Sequence, residues 1–118
     1  MAAASSPVAE ARAIACRVAA DADELALHHA IRRTVFCREQ GMFGAGDDRD
    51  DRDAHPATLH AVGAEGASIG GTVRLYPLAD DGRVWQGDRL AVLPAFRHGS
   101  LGGSLVRFAV RTAGARGG

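Results

Sequence analysis

The segment that begins at Arg97 has the residue types of an anion-binding turn. Its members, which follow an apolar run ending in Pro94, are Arg97, His98, Gly99, Ser100, Leu101, Gly102 and Gly103. A predicted helix starts inside this segment, and the first backbone N–H groups of a helix lack intrahelical partners and favour an anion. Glycine lets the anion come close, while Arg97 and His98 supply cationic donors. We therefore predict a pyrophosphate site here.

Other common phosphate-binding and metal-binding patterns are absent from the sequence. It contains no Gly-x-x-x-x-Gly-Lys-Ser/Thr loop and no Gly-x-Gly-x-x-Gly turn after a first strand. The acidic run of residues 47–53 lacks the central glycine and final glutamate of an EF-hand. Adjacent His28 and His29 point in different directions on a helix, so we predict no metal site. Cys16 and Cys37 are expected to be free thiols without a chemical role.

The first half of the chain predicts one strand and one helix before a charged loop. Residues 1–12 are expected to form a flexible leader, and residues 13–18 a first strand. Asp21 and Glu24 have the spacing of a capping box. The helix that follows should end near Phe36 and bury the stripe Leu27, Ile31 and Val35, with Arg32 and Arg33 facing water. The charged residues 44–55 predict an exposed loop.

The second half predicts three more strands and a final helix. Residues 57–62, 69–76 and 84–93 are separated by turn residues, which indicates an antiparallel meander. The last strand should be central and buried on both faces, with one face formed by Val84, Leu90 and Val92 and the other by Trp85, Ala91 and Leu93. The helix from Leu101 should bury the stripe Leu105, Phe108 and Thr112, widened by Val106 and Val110. The fold class is therefore α+β, a mainly antiparallel four-stranded sheet with flanking helices.

Composition limits the function to a local site. The 118 residues suffice for one domain, and 14 basic residues balance 14 acidic ones, so no overall field attracts nucleic acid or a membrane surface. No apolar run approaches the roughly 20 residues of a membrane span. We expect a cytoplasmic protein with no nucleic-acid or membrane partner.

Several of these motifs together resemble the GNAT family of acyltransferases. The turn from Arg97 to Gly102 resembles the family's Arg/Gln-x-x-Gly-x-Gly/Ala motif, with Ser100 at its first glycine. Residues 31–41 resemble the Arg-x-x-Val-Phe-x-x-Glu-Gln signature of one branch, and residues 71–75 its third strand. The chain from residue 13 onward looks like the bacterial nitrogen-starvation N-acetyltransferase group. The resemblance implies the α/β/α acyl-CoA N-acyltransferase fold, here incomplete after the helix that follows strand four.

The resemblance also implies the site and the reaction. Acetyl-CoA would be the co-substrate, with its pantetheine on the backbone of Ala91, Val92 and Leu93 and its pyrophosphate on residues 97–103. A small-molecule amine would attack the thioester directly, with Glu39 as the candidate general base; the alternative for Glu39 is a solvated or capping residue. Arg74 and Arg89 are candidates for binding an acceptor carboxylate. Their alternative is pairing with structural acids such as Asp88 or Glu39.

Other functions stay open at this stage. The missing second half of the domain also fits a non-catalytic acyl-CoA-binding module or an inactive fragment. A homodimer, or a second chain that completes the sheet, would supply the lost strands. Acyl-homoserine-lactone synthases share part of the Val-Phe-x-x-Glu region, so the acyl chain can also be longer than acetyl.

Overall fold

The structure is a computed structural model that describes residues 13–43 and 47–118. The predicted leader, residues 1–12, and residues 44–46 of the predicted loop lie outside this part. Four strands form one open sheet, and they are β1 (Ile14–Val18), β2 (Leu59–Glu65), β3 (Ser68–Pro77) and β4 (Trp85–Val92). Every neighbouring pair is antiparallel, in the order β1-β2-β3-β4. The predicted meander and the α+β class are confirmed.

Helices flank this sheet, and they include the two that the sequence predicts. They are α1 (Ala22–Arg32), continued by a π-helical segment (Arg33–Glu39), the short α2 (Asp51–Ala54), a 3-10 turn (Pro94–Phe96) and α3 (Leu101–Ala115). Asp21 caps α1 by accepting a hydrogen bond from the backbone N–H of Glu24, at 2.9 Å. The predicted end near Phe36 is wrong, because the wider π-helical turns carry the helix on to Glu39.

One face of the sheet is covered by α3. Leu101 and Leu105 are fully buried there, directly over glycines of β2 and β3. A Cβ atom added to Gly71 would lie 2.8 Å from Cδ1 of Leu105, so the helix approaches closer than an alanine would allow. The prediction that Val106 and Val110 widen the buried stripe is wrong, since they are 47% and 68% exposed.

The opposite face packs against α1 and the π-helical segment. Ile31 and Val35 are buried there against Ala91, as predicted. Two parts of the helix prediction are wrong: Leu27 is 45% exposed, whereas Arg32 is 0% exposed. Charged partners from other elements surround Arg32, and a periodicity argument along one helix cannot detect them.

A bulge changes which side chains of β4 share a face. Asp88 pairs with Arg74 and Ala91 with Thr72, so two residues, Arg89 and Leu90, lie opposite one on β3. Arg89 has a φ of 50°, a conformation that is uncommon outside glycine.

The predicted division of β4 into two faces is therefore wrong for Trp85. With Leu90 and Val106 it lines an apolar groove of about 250 Å³ beside α3. The expectation of a central strand is also wrong for the described residues, because β4 is the last strand of the sheet. None of the described helices is long and apolar enough to cross a membrane.

Candidate functional site

The predicted anion-binding turn opens α3 without a side-chain cap. Ser100 is the N-cap residue, and its hydroxyl makes no capping hydrogen bond. The first helical hydrogen bond runs from the N–H of Ser104 to the carbonyl of Ser100, at 2.9 Å. The N–H groups of Leu101, Gly102 and Gly103 therefore precede the helical ladder, as an anion site at a helix N-terminus requires.

The surroundings of the glycines indicate from which side an anion can approach. A Cβ atom on Gly99 would lie 3.6 Å from Oε1 of Glu65, so a carboxylate stands on that side of the turn. Glu65 also lines a cavity of about 440 Å³ with His98 and Ser100. A phosphate near Glu65 would be repelled, whereas nothing acidic lies within 4 Å of a Cβ on Gly102. The geometry favours approach on the Gly102 side.

Beside this turn lies the unpaired edge of β4. Leu93 donates its N–H to the carbonyl of Gly70 on β3, at 2.9 Å. Because successive peptide groups of a strand point in opposite directions, the N–H and C=O of Val92 point away from β3 towards the open edge. The side chain of Val92 contacts the α3 side, whereas Ala91 and Leu93 pack on the α1 side. The N–H of Val92 thus faces the open edge, where the family resemblance implies the pantetheine arm.

Arg97 connects this edge to the end of the π-helical segment. Its Nε donates to the carbonyl of Val92 at 2.8 Å, and its Nη2 donates to Oε1 of Glu39 at 2.5 Å. Both side chains remain partly accessible, at 44% for Arg97 and 30% for Glu39. The structure therefore brings together two predicted site residues that are 58 positions apart. The guanidinium therefore lies at the β4 edge, between Val92 and Glu39.

Arg74 has no free donor with which to bind an acceptor. Its guanidinium is 1% exposed and donates through Nε, Nη1 and Nη2 to Asp88, Asp50 and Asp53 at 2.6–3.1 Å. These five bonds use all five N–H groups of an arginine. Arg74 thus pairs with Asp88, one of the structural acids named as its alternative partners.

Arg89 is held by the acidic segment through its Nε and Nη2. It donates to the carbonyl and the carboxylate of Asp48 at 2.9–3.2 Å and to Asp50 at 3.3 Å. Its guanidinium also lies 4.8 Å from the ring centroid of Phe43, which is a cation–π distance. Neither arginine therefore presents a free guanidinium fork to an acceptor.

The acidic segment itself is not the solvated loop that its composition predicts. Asp48 is 1% exposed, and residues 51–54 form α2. Burial opposes the charge of Asp53, but hydrogen bonds from Arg32, the Asp50 N–H and His60 outweigh it and hold the Asp53 pKa well below its usual range. Opposite charges from four elements neutralise one another, so carboxylates that would remain in water alone become buried here.

Sequence reasoning also missed a cluster of imidazole and carboxylate groups. His29 on α1, Asp53 on α2 and His60 on β2 each place one donor atom within 4.8 Å of the other two. Spacing along the chain pairs His28 with His29, and His60 lies far from both in the sequence. Only the fold brings His29 and His60 together.

Comparison with known proteins agrees with this architecture. The family model described as "Acetyltransferase (GNAT) family" matches residues 19–118. No curated protein matches the chain significantly. Among solved structures, the chain is similar to ElaA of Escherichia coli, with 20% identity and a TM-score of 0.69 over 86% of this chain and 68% of that one.

Two further structures share the fold. A GCN5-related N-acetyltransferase from Ralstonia eutropha JMP134 is 22% identical, with a TM-score of 0.61 over 89% of this chain and 78% of that one. One from Kribbella flavida is 18% identical, with a TM-score of 0.62 over 89% of this chain and 37% of that one. At these identities the structures show a common fold, and the family model carries the assignment. The chain belongs to the GNAT family of acetyltransferases.

Proposed function

We propose that the chain binds acetyl-CoA and transfers its acetyl group to the amine of a small-molecule acceptor. One observation carries this proposal: the uncapped N-terminus of α3 lies directly beside the open edge of β4. The first offers N–H groups for a pyrophosphate, and the second offers the backbone of Val92 for the amides of a pantetheine arm. A coenzyme A thioester has both groups in one molecule.

The same edge supplies a donor for the reaction. In direct attack by an amine, the protein positions the two substrates, removes a proton and stabilises the oxyanion of the thioester. The outward N–H of Val92 is our candidate oxyanion donor. Glu39 is our candidate base, because Arg97 holds its Oε1 near the β4 edge and leaves Oε2 for a proton.

Arg97 has to change partners if its Nε and Nη2 are to bind phosphate. Its Nε donates a hydrogen bond to the carbonyl of Val92, and its Nη2 donates one to the carboxylate of Glu39. Both contacts are partly exposed, so they are weak enough to be exchanged for a phosphate. The exchange would free Glu39 and the Val92 carbonyl at the same moment. We infer that binding of the co-substrate prepares the base.

A non-catalytic acyl-CoA-binding module is the second candidate. The observation in its favour is that aspartates hold Arg74 and Arg89, so neither of these arginines presents a free fork to an acceptor carboxylate.

The nitrogen-starvation subgroup, and a homodimer or second chain completing the sheet at the β4 edge, stay predictions. They rest on residues 31–41 and on the unpaired strand.

The experiment that tests the proposal is isothermal titration of the chain with acetyl-CoA. Gly102→Glu places a carboxylate at the start of α3, whereas the control Gly114→Glu adds the same charge where no atom lies within 4 Å of the new Cβ. We expect saturable binding by the wild type and by Gly114→Glu, and loss of binding in Gly102→Glu. No binding by the folded wild type would refute the proposal. An acetyl-transfer assay then separates the enzyme from the binding module.

A further inference from the structure

A second candidate site lies away from β4, between α1, α2 and the start of β2. It is formed by His29, Asp53 and His60, whose donor atoms lie within 4.8 Å of one another. Two imidazoles and a carboxylate are ligands that zinc and related divalent ions accept. We propose that His29, Asp53 and His60 bind a divalent transition-metal ion of the Zn²⁺ type.

The first support is an unpaired nitrogen. His29 is 7% exposed, yet its Nδ1 makes no hydrogen bond within the described part of the chain. A buried polar atom without a partner is costly and is rare in folded proteins.

The second support is the contact between the other two ligands. Nε2 of His60 lies 3.0 Å from Oδ1 of Asp53 and donates its proton to it. A zinc ion bonded to both atoms in tetrahedral geometry would hold them roughly 3.4 Å apart. The ion can therefore replace the proton with a small outward movement. The proton moves to Nδ1 of the same ring, which stays neutral.

A further imidazole, that of His28, lies beside the cluster and holds its two histidine rings in place. Nδ1 of His28 donates to the carbonyl of Ala61 at 2.8 Å, which leaves its Nε2 to accept from Arg32 at 3.2 Å. Both nitrogens are occupied, so His28 is not a ligand. Its ring packs edge to face against His29 and His60, with centroid distances of 5.2 and 4.9 Å, and thereby fixes the two ligand rings.

The charges around the cluster permit a cation. Arg32 donates to both carboxylate oxygens of Asp53, and Arg74 donates to its Oδ2. The arginines of the buried network are Arg32, Arg74 and Arg89, and its aspartates are Asp48, Asp50, Asp53 and Asp88. Three positive and four negative groups leave one net negative charge. The arginines also orient the ligand carboxylate, as outer-shell donors do in metal sites.

A cavity beside the cluster provides an entry path for the ion. His29 and Asp53 line a cavity of about 490 Å³ between α1 and α2, together with Arg49 and Asp50. With three protein ligands, the fourth position of a tetrahedral ion would face this cavity and take a water molecule. Among the described residues that line the opening, the exposed Arg49 adds a further cation.

The test is titration of the metal-free chain with ZnCl₂ by calorimetry, with Co²⁺ absorption as the coordination readout. The variants are His29→Gln and His60→Gln, and the control is His55→Gln, an exposed histidine outside the cluster. We expect one Zn²⁺ per chain, a rise in Tm with the metal, and at least tenfold weaker binding in both variants. The control should bind like the wild type.

Two outcomes would overturn the proposal. One is the absence of saturable Zn²⁺ binding by the folded wild-type chain. The other is wild-type binding by His29→Gln. His29→Gln decides the question if His60→Gln fails to fold, since Nδ1 of His29 makes no hydrogen bond that the substitution could break. Acetyl-CoA titration of the same samples reports on the β4 site separately.

Discussion

Replacing Arg32 by methionine tests whether the buried charges hold the two halves of the chain together. Arg32 is 0% exposed and donates to Asp48 at 2.7 Å and to Asp53 at 2.6 and 3.0 Å. Removing one partner of a buried ion pair costs about 3–5 kcal/mol, because the other charge stays buried without compensation. Asp53 keeps Arg74 and Asp48 keeps Arg89, so we expect the lower end, about 3 kcal/mol.

The assay is urea unfolding followed by far-UV circular dichroism. For a chain of this size, a loss of about 3 kcal/mol lowers the urea midpoint by roughly 1–2 M. Arg17→Met is the matched control, since it removes an exposed pair with Glu24 that solvent screens, and its midpoint should hardly change. Adding Asp48→Asn to Arg32→Met should recover part of the loss. A loss in Arg32→Met no larger than in Arg17→Met would refute the reasoning.

Three further predictions concern stability and catalysis. Gly71→Ala should cost about 1–3 kcal/mol by overpacking α3, whereas Gly114→Ala, a helical site with open space around it, should stabilise by about 0.5–1 kcal/mol, both measured by urea unfolding. Stability should fall as the pH is lowered. Burial lowers the pKa of His28 from 6.5 to about 3 in the folded chain, so below pH 6.5 the unfolded chain binds a proton that the folded chain does not. Asp53, whose pKa is depressed below 3.8, adds a further loss as the pH falls below that value. Glu39→Gln should retain coenzyme A binding by calorimetry and slow acetyl transfer by about 10²–10⁴-fold.

Each of these predictions has an outcome that contradicts it. Equal stability of the two glycine variants would show that α3 does not approach the sheet as closely as the structure has it. A free energy of unfolding that stays constant between pH 7 and pH 4 would contradict the neutral buried His28. Full transfer activity in Glu39→Gln would remove Glu39 from the reaction and leave it as a partner of Arg97.

The elements of the fold were predictable because local patterns specify them. The turn residues between the strands, the Asp21 cap and the apolar spacing of Leu101 and Leu105 each act over a few residues. The turn at the start of α3 was predictable for the same reason, since the first residues of the helix and their glycines are adjacent in sequence.

The errors arise where distant residues decide the environment. Arg32 was placed in water because its partners, Asp48 and Asp53, lie 16 and 21 residues further along the chain. Trp85 was assigned to the wrong face because a bulge at Arg89 shifts the alternation of β4. No spacing rule along one chain reveals such contacts.

The contact between Glu39 and Arg97 has the same origin. Each residue was singled out for its own reason, one as a base and the other as a phosphate ligand. Their pairing depends on the π-helical turns that carry the helix past Phe36 to the β4 edge. A regular α-helix ending earlier would have left Glu39 in a loop.

The most direct test of where the co-substrate binds is NMR. Amide chemical shifts of the isotope-labelled chain would map its contact with coenzyme A. We predict that coenzyme A shifts the amide signals of Val92 and of residues 99–103 in a saturable manner. The signals of residues 22–32 on α1 should shift much less. Shifts confined to other surfaces, or no shifts at all in a folded chain, would contradict the proposed site at the start of α3 and the edge of β4.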